Sequence, residues 1–394
     1  MAEMDRSEEL YRRALGHLPG GNSRSTLFLA PHPPYAARGE GCELTDVDGH
    51  RLIDLQNNYT ALLHGHAFAP VIAAAGAAIA AGSAYGLPTL AEIELAECLA
   101  DRVGWATSWR FANSGSEAVM MAVRAARAGT GRSGLIRFAG CYHGSWDAVA
   151  APGAPGVPAA TRSEVVTLAL GDAPGLLAAL DRHEGTVAAV LLDAMPNQAG
   201  LVPLERSFVQ LVREQTRRRG IALVLDEVIG FRVARGGLHS TYGIQGDLIA
   251  LGKAIGGGFP VGAIGGREEL MEVFDPRRAE PVAHGGTFSA NPVSMSAGLA
   301  ALRHFEQDRI ERIDALGDLL RAGLRERGWL VGGRGSLLRV RSPAGEWGAE
   351  LWWRLYRAGV LVAGSGLVCT STAMDERTIE RALAAFDRAV AEDR

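Results

Sequence analysis

The chain reads Gly220-Ile-Ala-Leu-Val-Leu-Asp226-Glu-Val228 and, after a polar turn, Asp247-Leu-Ile-Ala-Leu-Gly-Lys253-Ala-Ile-Gly-Gly-Gly258, and this stretch decides its fold. Two apolar runs rich in Ile, Leu and Val each end in a charged residue, the first in Asp226 and the second in Lys253. Continuous apolar runs of this length are typical of parallel strands that are buried on both faces. A carboxylate and an amine at the ends of such strands would lose their water, which is costly unless each has a partner.

An aldehyde cofactor with a pyridine ring would supply both partners. The amine of Lys253 would form a Schiff base with the aldehyde, and the carboxylate of Asp226 would hold the protonated ring nitrogen. A buried amine loses its charge more easily than an exposed one, so Lys253 would become a competent nucleophile and base. Asp226 alone could be a structural cap, but the two residues together favour the cofactor interpretation.

Strand and helix patterns alternate from about residue 52 to residue 285, which predicts an α/β fold with a mostly parallel sheet and helices on both faces. An N-terminal helix and a small hairpin or meander precede this region, and an α+β pattern follows it. We therefore predict an N-terminal segment 1–47 that is part of a small domain, a large cofactor-binding domain 48–292, and a C-terminal small domain 293–394.

Ligands of open parallel sheets gather beyond the carboxyl ends of the strands. Five predicted strand ends carry residues suited to a binding site, namely Ser114–Ser116, Tyr142–His143, Asp193, Asp226 and Lys253. This convergence predicts one site more strongly than any single motif does.

Two of these motifs and one arginine have alternative interpretations. Ser114-Gly-Ser-Glu117 lies where a strand turns into a helix, so its backbone amides are suited to a phosphate, although an ordinary helix cap is also possible. Tyr142 could stack on a flat ring or pack in the core. Arg24, among Asn, Ser and Thr, is suited to a bidentate grip on a substrate carboxylate, but could be a surface arginine.

The composition excludes several classes of partner. The formal net charge of −4 gives no electrostatic reason for a nucleic-acid or anionic membrane partner. The charged N-terminus has no signal-peptide pattern, and the apolar stretch 67–81 is too short to span a bilayer and is predicted to be a surface helix. No Cys-x-x-Cys pair occurs, which favours reduced thiols and a cytoplasmic location, among Cys42, Cys98, Cys141 and Cys369.

Three weaker patterns carry no function. The glycine-rich run from Gly129 to Gly134 matches a dinucleotide pattern, but it follows a helix and precedes a strand, the reverse of the required order. The pair His64 and His66 lacks further ligands at metal-site spacing, so we expect no metal. No Gly-x-Ser-x-Gly elbow of a hydrolase occurs.

The following motifs occur together across nearly the whole chain: Pro19-Gly-Gly, Asp46-Val-Asp-Gly, Gly65-His, Asn113-Ser-Gly-Ser-Glu-Ala, Tyr142-His-Gly, Asp226-Glu-Val, Gly252-Lys and Gly286-Thr-Phe-Ser-Ala-Asn-Pro292. Jointly they resemble the class III pyridoxal-phosphate (PLP) aminotransferases of fold type I. Within that class the chain is similar to glutamate-1-semialdehyde aminomutase and to the β-amino-acid aminotransferases of the β-phenylalanine type. The segments 132–143 and 285–298 resemble the aminomutase, and the segments 21–28 and 59–61 resemble the β-amino-acid enzymes.

The resemblance implies a role for each cofactor residue. Lys253 would form the Schiff base, and Asp226 would pair with the pyridinium nitrogen. Tyr142 would stack on one face of the ring and Val228 would cover the other. The resemblance also places beside the cofactor and its phosphate the residues Ser114, Gly115, Ser116, His143 and Asp193.

The resemblance further implies a homodimer in which Thr287 of one subunit reaches the phosphate bound by the other. Arg24 would hold the substrate carboxylate, and Tyr59 would contact the substrate.

The chain departs from the family pattern at three places. The stretch Asp226-Glu-Val-Ile-Gly-Phe-Arg232 is one residue shorter than usual, and Asp193-Ala194 replaces a Glu-Pro pair. Near the C-terminus, β-amino-acid enzymes carry an arginine for the α-carboxylate of the second substrate, whereas this chain has Ala363-Gly-Ser-Gly-Leu367. The last difference speaks against glutamate or 2-oxoglutarate as the second substrate.

The resemblance predicts a PLP-dependent aminotransferase that moves an amino group between a carboxylate-bearing amine, such as a β-amino acid, and a carbonyl acceptor through an aldimine on Lys253. An intramolecular aminomutase of the glutamate-1-semialdehyde type is the main alternative. A non-catalytic PLP-binding protein is a further alternative, and a decarboxylase or racemase on the same fold also stays open.

Overall fold

The structure is a computed structural model that describes residues 5–151 and 153–391. The chain forms two compact units. The small unit combines the chain up to Ala69 with the segment that begins at Glu311, and the large unit runs from Pro70 to Ile310. The domain boundaries proposed from the sequence, at residues 47 and 292, stay predictions.

The strands of the described residues are β1 (Ala36–Glu40), β2 (Glu43–Asp46), β3 (Arg51–Asp54), β4 (Ser108–Ala112), β5 (Gly134–Phe138), β6 (Val165–Leu168), β7 (Val187–Leu192), β8 (Ala222–Asp226), β9 (Leu248–Gly252), β10 (Gly262–Gly266), β11 (Leu330–Arg334), β12 (Leu337–Arg341), β13 (Val360–Leu361) and β14 (Leu367–Cys369).

The helices within the same described ranges are α1 (Asp5–Leu15), the single turn α2 (Asn57–Thr60), α3 (Ala69–Ala81), α4 (Leu90–Val103), α5 (Gly115–Thr130), α6 (Ala159–Arg162), α7 (Ala173–Arg182), α8 (Arg206–Arg218), α9 (Glu268–Met271), α10 (Pro292–Arg303), α11 (Gln307–Glu326), α12 (Ala349–Arg357) and α13 (Glu376–Ala391). Short 3-10 turns follow β8 and β9, at Gly230–Val233 and Lys253–Gly256.

The large unit is organised on one seven-stranded sheet with the order β4-β10-β9-β8-β7-β5-β6. Neighbouring strands from β9 to β6 are parallel, whereas β10 runs antiparallel between β4 and β9. The central strands β7, β8 and β9 are buried along their whole length. Helix α5 covers this sheet with an apolar face that includes Val119, Ala122 and Val123. The sheet is therefore a rigid platform for whatever its strand ends carry.

Asp247 fixes the alignment of the two strands that decide the fold. Its Oδ2 accepts a hydrogen bond from the backbone N–H of Leu223 at 2.8 Å and from Arg213 Nη1 at 2.7 Å. These bonds tie the start of β9 to the start of β8, and the strands then pair in parallel until Asp226 lies opposite Ala250. Because both strands run in one direction, Asp226 and Lys253 emerge at the same edge of the sheet.

The small unit contains two smaller sheets. In the first, β1, β2 and β3 form an antiparallel meander, and β13 adds in parallel to β3. In the second, β12 lies between β11 and β14, antiparallel to both. An aromatic core holds the unit together, in which the rings of Trp329 and Phe386 meet edge to face with centroids 5.0 Å apart.

The fold class predicted from the sequence is confirmed. The pattern of the sequence predicts a helix over Leu90–Val103 and strands over Val187–Leu192 and Leu337–Arg341, and the observed elements have these bounds. The sequence missed strand β10, which reads Gly-Ala-Ile-Gly-Gly and in which Ile264 is the one residue that favours strands. Glycine is needed there, because a Cβ on Gly262 would lie 2.0 Å from the carbonyl oxygen of Ser114.

After Pro292 the sequence predicts a long helix from about Ser294 to Phe305 that continues as a helical pattern to Arg327. The structure has two helices there, α10 and α11, with a break between Arg303 and Gln307. Residues 67–81 form a helix from Ala69 to Ala81, as expected for a surface helix. In the described part of the chain, no helix is long and apolar enough to cross a membrane.

Candidate active site

Five strand ends meet at one edge of the large sheet. Strands β9, β8, β7 and β5 are parallel, and β4 has the same direction because two antiparallel pairings through β10 restore it. The segments that follow these strands carry the residue sets predicted from the sequence: Ser114–Ser116, Tyr142–His143, Asp193, Asp226 and Lys253. The topology therefore brings the predicted residues of the large unit to a common edge.

Asp226, the last residue of β8, is held by two donors. Its Oδ1 accepts the backbone N–H of Val228 at 3.1 Å, and its Oδ2 lies 2.7 Å from Nδ1 of His143. Both side chains are almost fully buried, with Asp226 7% and His143 1% exposed. Nε2 of His143 is also buried and has no hydrogen-bond partner among the described residues. The buried His–Asp pair therefore fixes the orientation of the carboxylate.

Lys253 follows β9 directly and is the only lysine in the chain. Its backbone φ is positive, at 46°, and a residue other than glycine adopts this conformation only at a free-energy cost of about 1 kcal/mol or more. It forms no ion pair in the described part of the chain, although its surroundings include two carboxylates. Burial lowers the pKa of Lys253, and the negative charges of Asp226 and Asp193 oppose that shift. The amine is thus more easily neutral, and hence more nucleophilic, than an exposed amine.

Asp193, just after β7, has fewer partners than its neighbouring acids. Its Oδ1 accepts the backbone N–H of Met195 at 2.9 Å, and it has no second donor in the described residues. Burial raises the pKa of Asp193 well above its usual value, and the negative charge of Asp226 adds to that shift. Burial and the same two acids also raise the pKa of the nearby Cys141 thiol. Asp193 is therefore the carboxyl group of this edge that most readily keeps its proton.

Glu227 has a different role from the acids beside it. Its carboxylate accepts the backbone N–H groups of Leu238 at 2.9 Å and His239 at 2.6 Å, and lies 3.0 Å from the His239 ring. It therefore anchors the segment after β8, where the chain is one residue shorter than the family pattern.

The segment Ser114–Ser116 begins helix α5, and Ser114 caps it. The Ser114 hydroxyl accepts the backbone N–H of Glu117 at 3.2 Å, while the Glu117 carboxylate accepts the N–H of Asn113 at 2.7 Å, which is a capping box. In the described residues, no acceptor bonds the backbone N–H groups of Gly115 and Ser116. The capping interpretation and the anion-site interpretation are thus compatible, because the cap leaves these two amides available.

The surroundings of these amides leave no room for larger side chains. A Cβ on Gly115 would lie 2.9 Å from both methyl groups of Val228, and a Cβ on Gly144 would lie 2.5 Å from the Ser116 hydroxyl oxygen. The Ser116 hydroxyl also accepts the backbone N–H of Ser145 at 3.3 Å. Glycine at these two positions lets the backbone approach closely, which is what a phosphate cradle requires.

Tyr142 does not pack in the core. Its side chain is 54% exposed, and its hydroxyl lies 3.0 Å from that of Ser145. This excludes the core interpretation and leaves the ring available for stacking. Thr287 lies in an exposed loop whose turn is closed by a 3.0 Å bond from Ser289 N–H to the Gly286 carbonyl.

The predicted substrate residues lie in the small unit. Nη1 of Arg24 donates to Oδ1 of Asn58 at 3.1 Å, and the guanidinium carbon lies 5.7 Å from the ring centroid of Tyr59. The Tyr59 hydroxyl donates to the carbonyl of Thr26 at 2.9 Å. Arg24 and Tyr59 are therefore brought together, and Asn58, which sequence reasoning missed, joins them.

The signal that could have found Asn58 is the Asn57-Asn58 pair, because asparagine tolerates the left-handed backbone that this turn requires. The stretch 363–367, which the resemblance places where β-amino-acid enzymes carry an arginine, is held by Trp347, whose Nε1 donates to the Gly364 carbonyl at 2.9 Å.

The residues of the large-sheet edge fit PLP. They provide one amine for its aldehyde, one fixed carboxylate for its ring nitrogen, an exposed aromatic ring, and free amides in a cradle that any Cβ would fill. No group of three or more His, Cys, Asp or Glu side chains suited to a metal occurs in the described residues. His64 and His66 instead bond to Thr372 and Asp54. The four cysteines form no disulfide.

The comparisons with known proteins agree with this site. The family model of the class-III aminotransferases matches residues 30–374. The chain is 42% identical, over 331 residues, to glutamate-1-semialdehyde 2,1-aminomutase of Methanothermobacter thermautotrophicus, and the match covers 82% of this chain and 78% of that protein.

Two solved structures are similar over nearly the full length. A transaminase with PLP bound matches with a TM-score of 0.95 and 39% identity, covering 99% of this chain and 98% of that one. The β-phenylalanine aminotransferase of Variovorax paradoxus matches with a TM-score of 0.91 and 34% identity, covering 98% and 94%. The chain therefore belongs to the class-III aminotransferase family, whose members are enzymes of fold type I that use PLP.

Proposed function

We propose that this enzyme is an aminotransferase that moves an amino group between a carboxylate-bearing amine, such as a β-amino acid, and a carbonyl acceptor. The observation that carries the proposal is the state of Lys253. Lys253 is the only lysine of the sequence, burial lowers its pKa, and it forms no ion pair with any residue that the structure describes. A neutral amine both attacks a carbonyl carbon and accepts a proton, and amino-group transfer needs both properties.

When bound, PLP supplies an electron sink that stabilises negative charge on the substrate carbon next to the nitrogen. Asp226, held in place by His143, would keep a proton on the ring nitrogen and so maintain that sink. Lys253 is the residue that would hold the cofactor, and as a free amine it would move the proton to and from the substrate carbon. Tyr142 and Val228 would lie against the two faces of the ring and exclude water from it.

The backbone amides of Gly115 and Ser116, which have no acceptor among the described residues, would bind the phosphate, and Thr287 of a second subunit would complete its site in a homodimer. An exposed apolar surface supports the dimer. Helix α3 is apolar along its length, yet Ile72 and Ile79 on it are 53% and 56% exposed. Leu87 and Leu90, shortly after it, are 77% and 68% exposed. Apolar patches of this kind are typical of protein interfaces.

Arg24 binds the substrate carboxylate, and Tyr59 supports it. Support comes from the guanidinium itself, which is exposed and has no acidic partner among the described residues, whereas Arg38 and Arg51 of the same unit pair with Glu40 and Glu43. An unpaired guanidinium keeps its full charge for an incoming anion.

The test is a set of half-reactions in which the absorbance of bound PLP is followed after an amine is added without an acceptor. We expect a β-amino acid such as β-phenylalanine to change the absorbance within seconds, and a 2-oxo acid to restore it. The panel includes a matched amine without a carboxylate, 1-phenylethylamine. If PLP binds and no amine changes its absorbance, the non-catalytic alternative is correct and the proposal is wrong.

An aminomutase is the second candidate, and the 42% identity to a glutamate-1-semialdehyde 2,1-aminomutase favours it. The discriminating experiment offers glutamate 1-semialdehyde alone. Formation of the isomer whose amino group has moved from carbon 2 to carbon 1, faster than any transfer to an added acceptor, would establish the aminomutase. No isomer together with acceptor-dependent transfer would establish the aminotransferase. The cytoplasmic location stays a prediction.

A further inference from the structure

The Arg24 guanidinium of the small unit is held by neutral groups. Its Nη1 donates to the Asn58 amide oxygen at 3.1 Å, and one of its faces lies over the Tyr59 ring at 5.7 Å. Its own backbone N–H donates to Asn22 Oδ1 at 3.0 Å, which fixes the chain at this position. One edge and one face of the guanidinium are thus occupied, while the Nε and Nη2 donors have no partner in the described residues.

The turn that presents Asn58 and Tyr59 has an unusual backbone. Four successive residues that are not glycine have positive φ, with 47° at Asn57, 46° at Asn58, 55° at Tyr59 and 77° at Thr60. A left-handed turn of such residues is strained, and tyrosine in particular is rare there. Strain of this kind persists only where the surrounding structure enforces it, and it clusters at functional sites.

Hydrogen bonds of the buried residues Asp54 and Asn57 hold the turn in this conformation. Nδ2 of Asn57 donates to the carbonyls of Asp54 at 3.1 Å and Cys369 at 3.0 Å. Oδ1 of Asp54 accepts the backbone N–H groups of Gln56 at 2.8 Å and Asn57 at 2.9 Å. Asn57 and Asp54 are 0% and 1% exposed, so the base of the turn is rigid. The same turn points Asn58 and Tyr59 outward, where they contact Arg24.

We propose that Asn58 is a positioning residue that orients the Arg24 guanidinium toward a single substrate carboxylate and, being neutral, leaves its charge available. This inference rests on the proposed function, because it concerns how the carboxylate of that substrate is recognised. An aspartate in place of Asn58 would accept the same hydrogen bond but would neutralise Arg24. The uncharged amide therefore sets the specificity of this turn for an anionic group.

Three variants separate orientation, charge and backbone strain. Asn58→Gly removes the amide and suits the positive φ, so the turn should fold without strain. Asn58→Asp keeps the acceptor and adds one negative charge at the guanidinium. Asn22→Asp is the matched control, because it adds the same charge on a side chain that bonds the Arg24 backbone and not its guanidinium.

The measurement is calorimetric binding of 3-phenylpropanoate to the PLP-loaded enzyme, with 3-phenylpropanamide as the uncharged probe. We expect the dissociation constant for the carboxylate to rise about 3-fold in Asn58→Gly and at least about 10-fold in Asn58→Asp, because the latter also removes the net charge. Asn22→Asp should change it by less than about 3-fold. The amide should bind all variants equally, and the KM for a β-amino acid should rise while kcat stays near the wild-type value.

Two outcomes would overturn the inference. Equal affinity for 3-phenylpropanoate in the wild type and Asn58→Asp would show that the charge at this position is irrelevant. An equal loss in Asn58→Gly and Asn58→Asp would assign Asn58 a merely structural role. Both outcomes are read from binding, so they are independent of turnover, whereas the proposed function fails if no amine reacts with the bound PLP or if glutamate 1-semialdehyde isomerises faster than its amino group is transferred to an acceptor.

Discussion

Lys253 and Arg24 are both cations with a proposed role in binding, and their surroundings differ in kind. Lys253 follows a regular buried strand, with two carboxylates in its surroundings and its pKa lowered by burial. Arg24 lies on an exposed irregular segment, is held by the Asn58 amide and the Tyr59 ring, and has no acidic partner in residues 5–151 and 153–391. A reactive amine benefits from a buried site, because burial favours its neutral, nucleophilic form. A guanidinium that must attract an anion has to keep its positive charge. Covalent chemistry and substrate selection are thus assigned to differently built regions.

The largest effect is expected from Lys253→Ala. Turnover should fall by at least about 10³-fold, because the variant lacks both the covalent anchor and the proton carrier. Borohydride reduction of the PLP-loaded enzyme, followed by peptide mass spectrometry, should label Lys253 in the wild type and no side chain in the variant. Since the chain has no other lysine, the readout is unambiguous. Turnover near the wild-type rate in the variant would contradict the assignment of Lys253.

Arg24→Ala should affect selection and leave the chemistry intact. We expect kcat/KM for a β-amino acid to fall about 10²-fold, as the loss of two charge-assisted hydrogen bonds implies, and kcat/KM for 1-phenylethylamine to stay unchanged. Arg38→Ala is a suitable control, because Arg38 is also exposed but pairs with Glu40. An equal loss for both amines would mean that Arg24 supports the fold and does not recognise the carboxylate.

Two His–Asp pairs allow the buried and exposed settings to be compared directly. His143 lies 2.7 Å from Asp226 with its side chain fully buried, and His50 lies 2.7 Å from Asp46 with its side chain 28% exposed. Removing His143 leaves Asp226 with one donor, whereas Asp46 keeps the Tyr356 hydroxyl and backbone donors. In urea unfolding of the apoprotein, His143→Leu should lower the free energy of unfolding by about 2–4 kcal/mol, and His50→Leu should lower it by about 1 kcal/mol. Equal losses would remove the distinction between the two settings.

The smallest effect concerns Asp193 and the pH dependence of stability. Its pKa is raised in the folded protein by burial, so between the usual pKa near 4 and the raised value the folded state holds a proton that the unfolded state has lost. Stability due to this group is therefore full at low pH and falls as the pH rises, by at most about 1.4 kcal/mol per pH unit. Asp193→Asn should flatten this dependence between about pH 4 and 7 in urea unfolding of the apoprotein. An unchanged slope would show that Asp193 is ionised in the folded state.

Much of the large unit could be predicted from the sequence. The runs that end in Asp226 and Lys253 are apolar without interruption. This pattern predicts parallel strands, because such strands are buried on both faces. Strand β10 could not be predicted, because three of its five residues are glycine and only their tertiary neighbours explain them, such as the Ser114 backbone beside Gly262. The Ser114 motif was ambiguous because one sequence signature serves both a helix cap and an anion site.

The sequence by itself determined the fold class, through its apolar periodicity, and the family, through the joint resemblance of its motifs. It also led to the proposal that Lys253 is the reactive amine, because the chain has no other lysine. Only the tertiary structure decided which residues that are distant in sequence contact each other. It joined His143 to Asp226 across 83 positions and Asn58 to Arg24 across 34, and it bent Asn57–Thr60 into a left-handed turn that no local preference of tyrosine or threonine favours. Contacts between residues distant in sequence depend on the packing of whole elements, and the buried bonds of Asn57 and Asp54 supply the free energy that holds a strained backbone in place.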